Sequence, residues 1–101
     1  HFAYIWQQAS RRERFALAGV ARTLGPARPW ARPGGVLATL EQTGCRDLDL
    51  TGLVEALDAL ARRGVLEMAT EGALRYRYEV ALLRLWVKET QSIAALLERA
   101  A

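Results

Sequence analysis

Lysine, histidine and cysteine are all but missing from this chain, which holds one of each in 101 residues: Lys88, His1 and Cys45. Each scarcity closes a class of chemistry. With a single Lys, and no Gly-x-x-x-x-Gly-Lys-Ser/Thr around it, there is no phosphate-binding loop of the nucleotide-hydrolase kind. Zinc needs a cluster of Cys and His, and one of each, far apart in the chain, is not a cluster. Cys45 alone can form no internal disulfide. As a nucleophile it would need a base, which a lone terminal His does not offer, so it reads as an inert thiol. Long apolar runs are also missing: the longest are four or five residues, far short of a membrane span, and no basic segment leads into an apolar one as in a signal peptide. These absences predict a soluble, cytoplasmic, non-catalytic protein with no cofactor, no metal and no membrane partner. Carboxylates do occur. Glu55 and Asp58 lie three apart on a predicted helix with nothing beside them to desolvate either, which makes them solvated charges and not an acid–base pair.

What is present is ordinary globular composition, half apolar and a quarter charged, in a length that makes one domain over residues 1–101. The chain begins at His1 and not at Met, which predicts a tag remnant or a module excised from a longer protein. The net charge of +3 is unevenly placed: residues 1–40 carry six Arg against one Glu, while residues 41–101 carry eight basic against ten acidic groups. An excess of this size is compatible with nucleic acid without arguing for it.

The most informative stretch runs from Leu50 to Tyr78. Leu50, Leu53, Val54, Leu57, Leu60 and Ala61 recur at three and four residues, the apolar stripe of a helix. Asp49 or Thr51 caps its start. Arg62 and Arg63 suit the dipole of its last turn, and Gly64 supplies the left-handed stop. The period then changes to two, with Leu74, Tyr76 and Tyr78 alternating with Arg75 and Arg77, and Glu71-Gly72 forming the turn of a hairpin. Upstream, Ser10 to Glu13 is a capping box that opens a helix bearing Phe15, Leu17, Ala18, Ala21 and Leu24 on one side. Gly25 to Gly35, with three Pro and three Gly, predicts a loop, with Trp30 as an apolar anchor or an exposed contact. Val36, Leu37 and Leu40 face inward from a short helix over 35–43 that Gly44 ends. Downstream, Val80, Leu83, Trp86 and Val87 mark a helix over 79–88, and Ile93, Leu96 and Leu97 mark its continuation or a restart near Ser92.

These elements predict a fold class that is mainly α with a small β-hairpin: a winged helix-turn-helix of three helices and a two-stranded wing, with one or two extra C-terminal helices. In such modules the helix before the wing can enter the major groove of DNA. Its outer face here is Thr51, Gly52, Glu55, Asp58, Ala59 and Arg62, where two carboxylates would meet phosphates and one Arg would attract them. Candidate phosphate contacts, were DNA bound, are Arg11, Arg12, Arg14 and Arg62 together with Arg75 and Arg77 on the wing.

The runs Leu57-Asp-Ala-Leu-Ala-Arg-Arg-Gly-Val-Leu-Glu and Leu74-Arg-Tyr-Arg-Tyr-Glu-Val-Ala-Leu-Leu-Arg-Leu-Trp-Val resemble the winged-helix domain that comes after the nucleotide-binding core in prokaryotic STAND-class and related AAA+ ATPases. The resemblance covers about Ser10 to Lys88 and is sharpest at Arg84-x-Trp86. It implies a regulatory, protein-interaction module that packs on an ATPase core and helps hold a closed, ADP-bound state. The implied partner is the ATPase core of the same parent chain or an effector protein, with a DNA-binding regulator as the alternative. The candidate interaction face is Glu55, Asp58, Arg62, Arg84 and Trp86. Phe2 to Trp6 and the stripe Ile93, Leu96 and Leu97 look like truncated apolar pieces, which predicts self-association through one or both ends.

Overall fold

Ser10 and Glu13 start the helix on which the other elements pack. The Ser10 hydroxyl accepts the Glu13 N–H at 3.2 Å, and the Glu13 carboxylate accepts the Ser10 N–H at 2.8 Å. The helix they open, α2 (Arg11–Thr23), buries every residue from Phe15 to Ala21. Ala16, Ala18, Gly19 and Ala21 make this possible, because short side chains let neighbours approach from all directions.

The structure is a computed structural model that describes residues 1–99; the last two residues of the expected domain lie outside them. Among the described residues it is mainly helical, with six helices and a two-stranded antiparallel sheet. Before α2 comes α1 (Phe2–Gln8), and after it α3 (Pro33–Gln42), α4 (Leu50–Arg62), β1 (Leu66–Ala69), β2 (Arg75–Tyr78), α5 (Ala81–Thr90) and α6 (Ile93–Glu98). This order is compatible with a winged-helix-like fold. No described helix is long and apolar enough to cross a membrane.

The helix ends obey the chain's own chemistry. Asp49 Oδ1 accepts the Gly52 N–H at 2.8 Å, so Asp49 and not Thr51 is the cap of α4. At the other end Gly64 takes φ +75°, its N–H reaching Ala61 O and the Val65 N–H reaching Leu60 O, which closes two carbonyls and turns the chain into β1. Gly44 and Cys45 repeat the device on α3, through Glu41 O and Leu40 O. In the hairpin Leu66 pairs with Tyr78 and Ala69 with Arg75, and Gly72 at φ +80° permits the turn. Ser92 caps α6 through the Ala95 N–H, so the chain restarts there and does not continue α5.

Three expectations need correction. The 25–35 segment is not all loop: Pro33 occupies the first turn of α3, a position where its missing N–H costs nothing. Ala31, before it, exchanges two 2.8 Å backbone bonds with Tyr76, adding a one-residue third rung to the sheet. Leu50 and Val80, read as inward, are exposed; they stand at the first position of α4 and the N-cap of α5, where the stripe has not yet turned inward. The apolar stripes near both ends of the described residues are covered, with Tyr4 left exposed. Trp6, Ile93 and Leu96 are buried, and Phe2, Ile5 and Leu97 pack against the same core, so the apolar stripes on which end-to-end association was expected are used internally.

Gly19 and Gly34 make opposite predictions about added methyl groups. A Cβ at Gly19 would lie 2.8 Å from Val36 Cγ1 and 3.1 Å from Leu40 Cγ, and both side chains are fully buried. Gly19→Ala is therefore expected to lower the unfolding free energy by about 1–3 kcal/mol, the usual cost of overpacking. A Cβ at Gly34 meets nothing within 4 Å on a helical backbone, so Gly34→Ala should stabilise by about 0.4–1 kcal/mol. Urea unfolding of the two variants checks both signs.

Candidate functional site

Arginine supplies nearly all of this chain's positive charge, and the structure turns most of those guanidiniums onto the protein itself. Arg14 donates to Trp6 O and Gln7 O at the end of α1. Arg84 donates to Ala21 O at 2.9 Å and Leu24 O at 2.6 Å at the end of α2. Arg46 reaches Glu41 O at the end of α3, and Arg22 reaches Gln91 O at 2.8 Å beyond α5. Helix ends leave carbonyls without partners and carry partial negative charge, so a cation with several donors is well matched to them. Arg11 pairs with Asp47, and Arg63 holds Glu13 with two bonds.

The hairpin arginines are engaged as well. Arg77 forks onto Glu67 across the hairpin, and Arg75 donates to Glu71 O and Ala73 O within the turn. Both guanidiniums also lie over the Trp30 ring, at 4.2 and 4.9 Å from its centroid. Trp30 is thus a half-buried anchor between the loop and the hairpin, worth more than its apolar area because of the cation–π contacts. Of the six candidate phosphate contacts, Arg12 and Arg62 alone are exposed and outside the ion pairs found among the described residues.

On α4, Thr51, Glu55 and Arg62 are exposed, whereas Gly52 is buried beneath the Asp49 cap. Asp58 is half-buried and accepts the Tyr76 hydroxyl, so this carboxylate ties the outer side of α4 to β2. Burial first, and the Asp58 carboxylate second, push the Tyr76 phenol above its ordinary value. A groove beside this contact runs between α4 and the hairpin, lined by Asp58, Arg62, Glu67, Met68, Leu74 and Glu79. Glu55, Asp58 and Arg62 therefore share one helix face.

Arg84 and Trp86 are not on that face. Arg84 is spent on the end of α2, and Trp86 packs in a tilted cluster with Phe2 and Trp6, both at 6.3 Å between ring centroids. Exposed instead around the start of α5 are Val80, Leu82 and Leu85, at 49%, 65% and 42% of their full accessibility. The sequence reading missed Leu82 and Leu85. One feature could have revealed them: the run Val80 to Val87 has more apolar residues than one helical stripe can hold, so some of them must face outward.

Glu13 links two roles and makes a prediction about acid. Its carboxylate is held below the usual range mainly by the hydrogen bond from Arg63, against the opposing effect of burial and with help from the Ser10 N–H. A lowered value in the folded state means that the stabilisation is fully present above the unfolded value of about 4.3 and is lost as pH falls through the folded one. Glu13→Gln keeps the reach to the Ser10 N–H but not the charge. The variant should be less stable than the native chain at pH 7, with the gap closing below about pH 4, as urea midpoints measured from pH 7 to pH 3 will show. Compared with known proteins, the chain matches no family model, no curated protein and no solved structure.

Proposed function

We propose that this chain is a winged-helix module that works through protein contacts, as a regulatory domain of a STAND-like ATPase. Three features support the winged-helix reading: the helix order α2, α3, α4; the Gly64 stop that feeds the hairpin; and the Ala31–Tyr76 bridge, which supplies the short strand such folds carry between their first two helices. The resemblance of Leu74 to Val87 to the ATPase-linked domains supports the regulatory part.

The observation that carries the choice of protein over DNA is the state of the charges. The outer side of α4 carries an exposed Glu55 and a half-buried Asp58, held by the Tyr76 hydroxyl, against Arg62, and the hairpin guanidiniums are committed to Glu67, to turn carbonyls and to Trp30. Phosphate affinity comes from cations that can neutralise phosphates, and this surface has few to give. At the start of α5, Val80, Leu82 and Leu85 are exposed apolar side chains of the kind that marks a contact surface. The contact residues in this reading are Glu55, Asp58 and Arg62 on α4 and Val80, Leu82 and Leu85 on α5, with Arg84 and Trp86 packing α5 from within.

Two measurements test the reading. Titration of the chain with duplexes at about 0.1 M salt should give weak, salt-labile association without sequence preference. In the full-length gene product, exchange of the 79–90 amides should be slower in the ADP-bound state than in the ATP-bound state, and Leu82→Ser with Leu85→Ser should remove the difference. Sequence-selective, submicromolar duplex binding that Arg62→Ala or Arg75→Ala weakens would reverse the assignment in favour of a DNA-binding regulator.

A further inference from the structure

A cavity of about 510 Å³ opens between the α2–α3 connection, the first turn of α3 and β2, with Arg28, Arg32, Arg75 and Trp30 on its walls. None of its lining residues belongs to the contact face proposed above, so a ligand there would be independent of that face. The charges of this cavity set it off from the two clefts along α4, and the smaller carboxylate-free cleft that shares Arg28 and Pro29 with it has its other two guanidiniums, Arg77 and Arg84, committed to Glu67 and to the end of α2. The cleft beside Arg12 contains Asp47, Asp49 and Glu55, and the one beside Arg62 contains Asp58, Glu67 and Glu79, whereas no carboxylate lines this one. Arg28 and Arg32 are exposed and belong to none of the three ion pairs found among the described residues. Arg75 is held rigidly by the turn carbonyls and by Trp30.

The helix beside them adds donors. Arg32 is the N-cap of α3 and its side chain accepts nothing from the first turn, so Gly34 and Gly35 keep amide donors free of any side-chain cap, at the positive end of a ten-residue helix. Two exposed guanidiniums and these amides, with the positive charge of Arg75 fixed beside them and no carboxylate on the wall, suit a dianion better than a carboxylate, and Arg is the side chain best shaped for phosphate oxygens. Phosphate alone would leave most of the space empty. A cavity of several hundred cubic ångström is the size of sites for small organic ligands, and Ala27, Pro29 and the Trp30 ring offer it an apolar wall.

We propose that this cavity binds a small phosphorylated organic molecule, its phosphate taken by Arg28, Arg32 and the first-turn amides of α3 and its organic body packed against Pro29 and Trp30. A nucleic-acid backbone is the less fitting source of the phosphate, because a concave site of this size encloses a ligand while strand phosphates lie along open grooves.

Calorimetric titration of the chain with phenyl phosphate, inorganic phosphate, phenol and a single-stranded oligonucleotide, at about 0.1 M salt, tests this. Phenyl phosphate should bind one to one, at least tenfold more tightly than inorganic phosphate, with phenol not binding. The Trp30 indole resonance should shift on binding while those of Trp6 and Trp86 stay. Arg28→Ala with Arg32→Ala should weaken phenyl phosphate by at least tenfold with an unchanged melting temperature, Arg28→Lys with Arg32→Lys should restore part of the loss, and Arg12→Ala should change nothing. Equal binding of inorganic and phenyl phosphate, indifference to the double Ala variant, or tighter binding of the oligonucleotide through the same two arginines overturns the proposal.

Discussion

The structure depends on the burial of α2 on all sides from Phe15 to Ala21. Backbone there is shielded from solvent, so carbonyls that the end of the helix leaves free need partners in the protein. Arg84 arrives from α5 to take Ala21 O and Leu24 O, and Arg22 leaves α2 to take Lys88 O and Gln91 O beyond the end of α5. Each helix thus terminates the other. The Thr23 hydroxyl bonds back to Gly19 O and meets Thr39 on α3, and the Tyr78 hydroxyl reaches Leu17 O from the hairpin. Burial holds the Tyr78 phenol well above its ordinary value, so it remains a neutral donor throughout the range in which the protein would work. No described buried side-chain N or O atom lacks a partner.

That arrangement changes the meaning of the positive charge. An excess of arginine in the first forty residues looks, as a count, like a surface prepared for polyanions. In three dimensions that stretch divides: Arg14 and Arg22 bind carbonyls at helix ends and Arg11 pairs with Asp47, while Arg12, Arg28 and Arg32 stay exposed. Further along the chain Arg46 and Arg84 also bind helix-end carbonyls, and Arg75 and Arg77 hold a tryptophan. A planar guanidinium with five donors can bind two carbonyls at once, which an ammonium on a flexible stem does with less geometric definition. This accounts physically for a chain that uses Arg almost to the exclusion of Lys.

Local chemistry was readable in the residues, and long-range pairing was not. The capping box at Ser10, the Gly64 stop and the change of period into the hairpin are encoded by neighbours a few positions apart, and each is found where the chain implies it. The rung at Ala31 depends on Tyr76, a residue far along the chain, and it sits in a stretch whose Pro and Gly speak for a loop. The full burial of α2 was hidden for a different reason. Its alanines and Gly19 carry little apolar weight, so they do not announce a second and third buried face, although their small size is what admits α3. Arg84 and Trp86 illustrate the same limit at the candidate site. Their types suit an interface, but which side of a helix meets the core is decided by the angle at which it packs, and that angle is set by α2 and by the aromatic cluster with Phe2 and Trp6.

How the hairpin is attached decides what sort of surface it can offer. A two-stranded hairpin alone is marginal in water. Here β2 is held at several points: Ala31 pairs with its backbone, Asp58 receives the Tyr76 hydroxyl, Tyr78 is anchored on α2, and Trp30 lies against Arg75 and Arg77. Such a hairpin is part of the body and not a finger free to fit itself to a backbone of phosphates. Asp58 matters most in this respect. To turn outward to a base or a phosphate it would have to release the buried Tyr76 phenol, leaving a hydroxyl without a partner at a cost of about 1–3 kcal/mol. The same bond places a carboxylate at the junction of α4 and the hairpin. A hairpin fixed at this many points is a preformed surface, and a preformed surface meets any ligand without the cost of being ordered first.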